Sequence, residues 1–121
     1  MSSTTIKVDG KDLEIKATGA TSIFYQEIFG EDFLKILANA AVGNFAAVPL
    51  ESVCRACFIM AKQAEGNGVD EFPSITKKDY IKWADSFSFQ GLMSAANDIM
   101  SFLNDSGVPT ADLKKTETKK E

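Results

Sequence analysis

Cys54 and Cys57, with Arg55 and Ala56 between them, come nearer to a chemical site than any other residues of this 121-residue chain. A C-x-x-C pair can cycle between dithiol and disulfide, or give two thiolates to a metal. The redox use needs a preceding strand and a helix N-terminus, which lower the thiol pKa. Here the pair falls a full turn inside a predicted helix, on its apolar face. A zinc site needs two further Cys or His ligands, and the chain has no third Cys and no His. The pair is therefore expected to be buried and structural.

The remaining candidates are weaker. Gly68 to Asp79 has the outline of a calcium loop followed by a helix. Only Asp70 and Asp79 would supply oxygen at the required offsets, and Phe72-Pro73 occupies positions where a ligand and a glycine belong. Gly66-Asn67-Gly68 follows a helix rather than a strand, so it cannot cradle a phosphate. Glu31-Asp32 and Asp70-Glu71 read as a helix start and a solvated loop. Without His, no Ser or Cys has the commonest activating base. No catalytic residue, metal or cofactor is expected, and the chain is read as a non-enzyme. Lys77-Lys78 is a separate matter, because it sits at a predicted helix start where the dipole disfavours cations. It reads either as a contact for an acidic partner or as an exposed face that tolerates a small penalty.

Binding is the better-supported role. Nine of the twelve aromatic residues are Phe, and Phe24, Phe29, Phe45, Phe72, Phe87 and Phe89 fall near helix ends or in loops. Any of these that stay exposed would form an apolar patch of the kind that marks a protein-binding surface. The sequence leaves open which of them are core.

The elements that position these residues can be read in order. Thr4 to Lys16 alternates apolar and polar residues about Asp9-Gly10, the signal for a two-residue type I′ hairpin. That turn sets Val8 opposite Lys11, Lys7 opposite Asp12 and Ile6 opposite Leu13. Ile6, Val8, Leu13 and Ile15 then share one face. A short helix capped by Thr21 or Ser22 ends at Gly30, and a second runs from Phe33 to Ala41. A third follows with Pro49 as its first residue, and carries Leu50, Val53, Cys54, Cys57, Met60, Ala61 and Ala64 on one face. Thr76 and Asp79 make a capping box with Ile75 and Tyr80 as its staple. The last helix carries Phe89, Leu92, Met93, Ala96, Ile99, Met100 and Leu103 along one stripe, and Gly107 and Pro109 stop it. The predicted class is α+β, mostly α, with an N-terminal β-hairpin packed on a bundle of about five helices. A single globular domain is expected over 1–109, with the hairpin at 4–16 and the helical body at 21–107. The polar segment 110–121 is expected to be a disordered tail.

Composition narrows the partners. The formal net charge is −4 and Arg55 is the sole Arg, a poor balance for neutralising phosphates or anionic lipid. Neither nucleic acid nor a membrane is expected as a partner. Met1 to Thr5 has no positive charge and no apolar run after it, so secretion is not expected.

The order of elements, together with the strings Phe29-Gly30-Glu31-Asp32-Phe33 and Thr76-Lys77-Lys78-Asp79-Tyr80 leading into Trp83, resembles the tail assembly chaperones of siphophages and prophages of Gram-positive bacteria. The resemblance spans roughly Ile6 to Leu103. It implies a protein that coats the aggregation-prone tape measure protein until the tail tube polymerises. Such a protein works in the cytoplasm of the bacterial host and is absent from the finished virion. The tape measure protein is the implied partner, with the major tail protein and a second copy of the chain as further candidates. Family members often also have a longer form made by a programmed frameshift. The lysine pairs Lys114-Lys115 and Lys119-Lys120 are where a slippery codon run would lie. The alternative readings are a structural tail or head-tail connector component, and a small helical adaptor or regulatory protein.

Overall fold

A computed structural model describes residues 2–105. The expected helix stop at Gly107 and Pro109 and the tail 110–121 lie outside the described residues. The fold is α+β and mostly α: a two-stranded antiparallel sheet followed by five α-helices.

Strands β1 (Ser2–Val8) and β2 (Lys11–Ala17) pair in the register that the turn dictates, Val8 with Lys11, Lys7 with Asp12 and Ile6 with Leu13. Asp9 and Gly10 both take positive φ, 56° and 77°, as a type I′ turn requires. The Lys7 and Asp12 side chains meet at 2.7 Å on the exposed face. Ile6, Val8, Ile15 and Ala17 are buried on the other. The ladder extends two residues before Thr4 and one beyond Lys16, because Ser2 still pairs with Ala17.

The buried face of the sheet lies on two helices, β2 against α3 (Leu50–Ala64) and β1 against α5 (Phe89–Asp105). Helix α1 (Thr21–Phe29) and helix α4 (Lys77–Asp85) also pack on α3, and α2 (Leu34–Ala41) packs on α5. Helix α3 is therefore the axis of the molecule. The one-faced burial expected for it is too narrow. Ala56, Phe58, Ile59 and Gln63 are buried together with Val53, Cys54, Cys57, Met60 and Ala61, since neighbours cover α3 on nearly every side. Short 3-10 turns at Phe45–Ala47 and Phe72–Ser74 fill the connections on either side of it.

Several helix ends differ from expectation. Neither Thr21 nor Ser22 caps α1, whose N-cap is Ala20. The Thr21 hydroxyl instead accepts the Thr18 N–H at 2.9 Å and donates to Gln63 Oε1 at 2.6 Å, so it ties the chain to α3. Pro49 stands one residue before α3 as its N-cap. Phe33 precedes α2, and the Leu34 N–H is held by the Asp32 carboxylate at 2.9 Å. The capping box of α4 forms as read: Asp79 Oδ2 accepts the Thr76 N–H at 2.9 Å, and Thr76 Oγ1 accepts the Asp79 N–H at 3.4 Å. Gly30 ends α1 at φ 68°, a left-handed position that favours glycine.

The hairpin turn has a second use. The Asp9 carboxylate accepts the Ser88 N–H at 2.7 Å and the Ser88 hydroxyl at 2.5 Å. Ser88 Oγ in turn accepts the Gly91 N–H at 2.9 Å. The turn thus caps the start of α5 across 79 residues of sequence. A Cβ at Gly91 would overlap the Asp9 carboxylate, so any other residue there would displace that carboxylate from Ser88. Gly91→Ala should therefore destabilise the native chain, although alanine is the better helix former by up to about 1 kcal/mol. In an Asp9→Ala background the same substitution should become neutral or stabilising. Thermal melts of the four proteins test this reversal of sign. The hydroxyl and N–H of Ser88 hold the Asp9 carboxyl below its usual range. This contact is therefore fully present above the ordinary carboxylate pKa and is lost as pH falls through the lowered value. Melts of Asp9→Ala and native chain should converge in acid.

Among the described residues no helix is long and apolar enough to cross a membrane.

Candidate functional site

Both cysteines are buried free thiols. Burial, with Glu51 nearby, pushes the Cys54 thiol up to about 11, and burial drives Cys57 higher still. Both stay protonated near neutral pH, the opposite of what a reactive pair needs. Among the described residues no group of three or more His, Cys, Asp or Glu side chains is placed to hold a metal ion.

Arg55, between the two thiols in sequence, points away from them. Its Nη1 lies 3.1 Å from Glu31 Oε2, its Nε lies 3.1 Å from Glu51 Oε2, and its guanidinium stacks 5.2 Å over the Phe29 ring. The Tyr25 hydroxyl donates to Glu31 at 2.6 Å, and the Tyr80 hydroxyl donates to Glu51 at 3.1 Å. The Tyr25 hydrogen bond, aided by Arg55, holds the Glu31 carboxyl below its usual range. Burial raises both tyrosines, and the carboxylates they serve add to this. Each of these five side chains is satisfied by another, so the cluster brackets α1, α3 and α4 together.

The six phenylalanines divide clearly. Phe24 and Phe72 are buried and stack on each other at 3.9 Å, which seals the 72–74 turn against α1. Phe29 is buried between Tyr25 and Tyr80. These three are core and are corrected as partner-binding candidates. A position near a helix end does not imply exposure, because in a small domain helix ends and connections also pack on the core. Phe45 is half-buried in its 3-10 turn, and Phe87 is half-buried with its edge 5.1 Å from the Trp83 ring centroid. Only Phe89 is largely exposed, at 71%.

Phe87 and Phe89 line a groove of about 600 Å³ between the start of α3, the outer side of α4 and the start of α5. Leu50, Cys54, Tyr80 and Leu92 form its floor, Ile81 and Ala84 its α4 wall, and Glu51 and Asp85 its charged members. Ile81 is 62% exposed, and Met93, one turn beyond Phe89 on α5, is 49% exposed. Phe89 and Met93 were expected in the core stripe of the last helix. At 100° per residue they lie on nearly the same side of α5 as Met100, which is buried. The body covers that side at the C-terminal end of the helix and stops short of its first two turns.

Ile81 was missed as a site residue, yet it carries a signal. Tyr80, Trp83 and Ala84 keep the i, i+3, i+4 spacing of a buried face, and Ile81 stands about 100° away from Tyr80. A single apolar residue off the buried stripe is ordinary, but Ile81 adjoins Phe87 and Phe89 and so extends one apolar patch.

No family model, curated protein or solved structure matches the chain.

Proposed function

We propose that this protein is a non-enzymatic phage tail assembly chaperone that binds the tape measure protein and keeps it soluble until the tail tube forms around it. The observation that supports this reading most is the open apolar groove with Ile81, Phe87 and Phe89 on its walls. A client segment with an apolar stripe would bury these side chains. The choice of client rests on the resemblance of the element order and short strings to this family of chaperones. The net charge of −4 supports the same reading, since like-charged chaperone–client complexes repel one another and stay dispersed. The role belongs to the cytoplasm of the bacterial host, before particles mature.

Co-expression with the tape measure protein encoded nearby tests the proposal. The client should be soluble only when this chain is present. The double variant Ile81→Asp/Phe89→Asp, both at exposed positions, should fold normally and lose at least tenfold of the solubilised client. A client that stays insoluble with the native chain, or is rescued equally by the variant, would count against it. Purified particles should lack the chain, whereas a structural tail component would be present in them.

A further inference from the structure

From the charges around the groove we infer the polarity of the segment that fills it: an amphipathic helix lying parallel to α4, with acidic residues in its first turn and basic residues in its last. This inference rests on the groove being the client site. Helix α4 carries exposed Lys77 and Lys78 at its start and exposed Asp85 at its end. Each is placed against the helix dipole, which favours acids at the N-terminus and bases at the C-terminus. Lys77, Ile81 and Asp85 follow one another at i, i+4 and i+8 and so form one line along the outer side of α4. That line is about 12 Å long. Among the described residues none of the three charged side chains has a hydrogen bond or ion pair, whereas Glu51, on the other side of the groove, is already paired with Arg55 and Tyr80.

The line Lys77–Ile81–Asp85 therefore reads basic, apolar, acidic, and its charges lack partners; Lys82, the base of the last turn, lies about 60° further round the helix from Asp85, off that line. An ordinary helix has the complementary order, acidic at its start and basic at its end, because its own dipole favours that. Laid parallel to α4 with its apolar stripe on Ile81 and Phe89, such a helix sets its acids on Lys77 and Lys78 and its bases on Asp85. Laid antiparallel, it brings like charges together at both ends. The same charges thus select an orientation as well as a partner class.

Two synthetic peptides with one apolar stripe test this, one with Glu in the first turn and Lys in the last, the other reversed. Both carry a central hydrocarbon staple to equalise helicity. Binding is read by fluorescence anisotropy against the full chain and against a Lys77→Glu/Lys78→Glu/Asp85→Lys variant. The native chain should prefer the acid-first peptide by on the order of tenfold at low salt, as expected for two exposed ion-pair sets. The charge-swapped variant should reverse the preference, and added salt should shrink it. An unchanged preference in the swapped variant overturns the inference, as does failure of both peptides to bind the native chain. Self-association that is abolished by Ile81→Asp also overturns it, because a second copy would then be the occupant. The co-expression experiment stands apart from these outcomes: a client kept soluble while the peptides show no charge order sinks the polarity alone and leaves the chaperone reading in place.

Discussion

Phe58→Ala should destabilise the protein by about 3–5 kcal/mol, the usual cost of emptying a fully buried aromatic site. Phe58 has no exposed surface. Its ring lies 6.4 Å from Phe29 of α1, 5.5 Å from Tyr80 and 5.5 Å from Trp83 of α4, centroid to centroid. Tyr80 is the one buried residue of α4, so this helix is fastened mainly through the rings that meet Phe58. The loss would be a large share of the roughly 5–15 kcal/mol that holds a small domain together. Urea unfolding should show a lower midpoint. Because Trp83 is the sole tryptophan and packs on Phe58, its emission should shift to the red before global unfolding. The groove would suffer with the core, since α4 forms one of its walls. A client-binding defect in Phe58→Ala would therefore be indirect, unlike that of Ile81→Asp. A normal midpoint in Phe58→Ala would mean that α4 is held by something other than this ring cluster.

The second large effect lies in a buried polar ring. Gln63 Nε2 donates to Thr18 Oγ1 at 2.9 Å, and Gln63 Oε1 accepts the Thr21 hydroxyl at 2.6 Å. Thr21 Oγ1 accepts the Thr18 N–H at 2.9 Å, and Thr18 Oγ1 also accepts the Ala20 N–H at 3.1 Å. Thr21 and Gln63 are both buried. Together these bonds fasten the connection between the sheet and α1 to the end of α3. Gln63→Leu keeps the bulk but leaves the Thr21 donor without a partner, and should cost about 1–3 kcal/mol. Adding Thr21→Val removes that orphan. Thr18 is a half-buried residue, so its freed N–H is within reach of water. The double variant should therefore cost less than the sum of the two single variants. Additive losses in chemical denaturation would show that the two side chains are not coupled.

These results bear on how the binding surface is held. The groove is built from the starts of α3 and α5 and the outer side of α4, and it is held by one contact outside it and one on its own floor. The Asp9–Ser88 contact sets the first turn of α5 that carries Phe89 and Met93. The Arg55 cluster fixes Tyr80 against the start of α3. The surface offered to a partner is thus positioned by a hairpin turn and an ion-pair network, which suits a rigid site better than a mobile loop.

The sequence by itself determined the local elements, because each rests on neighbouring residues. Asp9-Gly10 specifies a two-residue turn whatever surrounds it, and that turn sets the hairpin register. Thr76 and Asp79 specify a helix start for the same reason, and Cys54 and Cys57 sit on a helical apolar stripe that any fold would bury. Tertiary structure alone decided which apolar residues stay outside. Phe89 and Met100 share a side of α5, and only the extent of the neighbouring helices buries one and exposes the other. Tertiary structure likewise made α3 the axis, turned Asp9 into the cap of a helix 79 residues away and paired Arg55 with Glu31 from the segment after α1. Such facts depend on distances between segments remote in sequence, and periodicity carries no information about them.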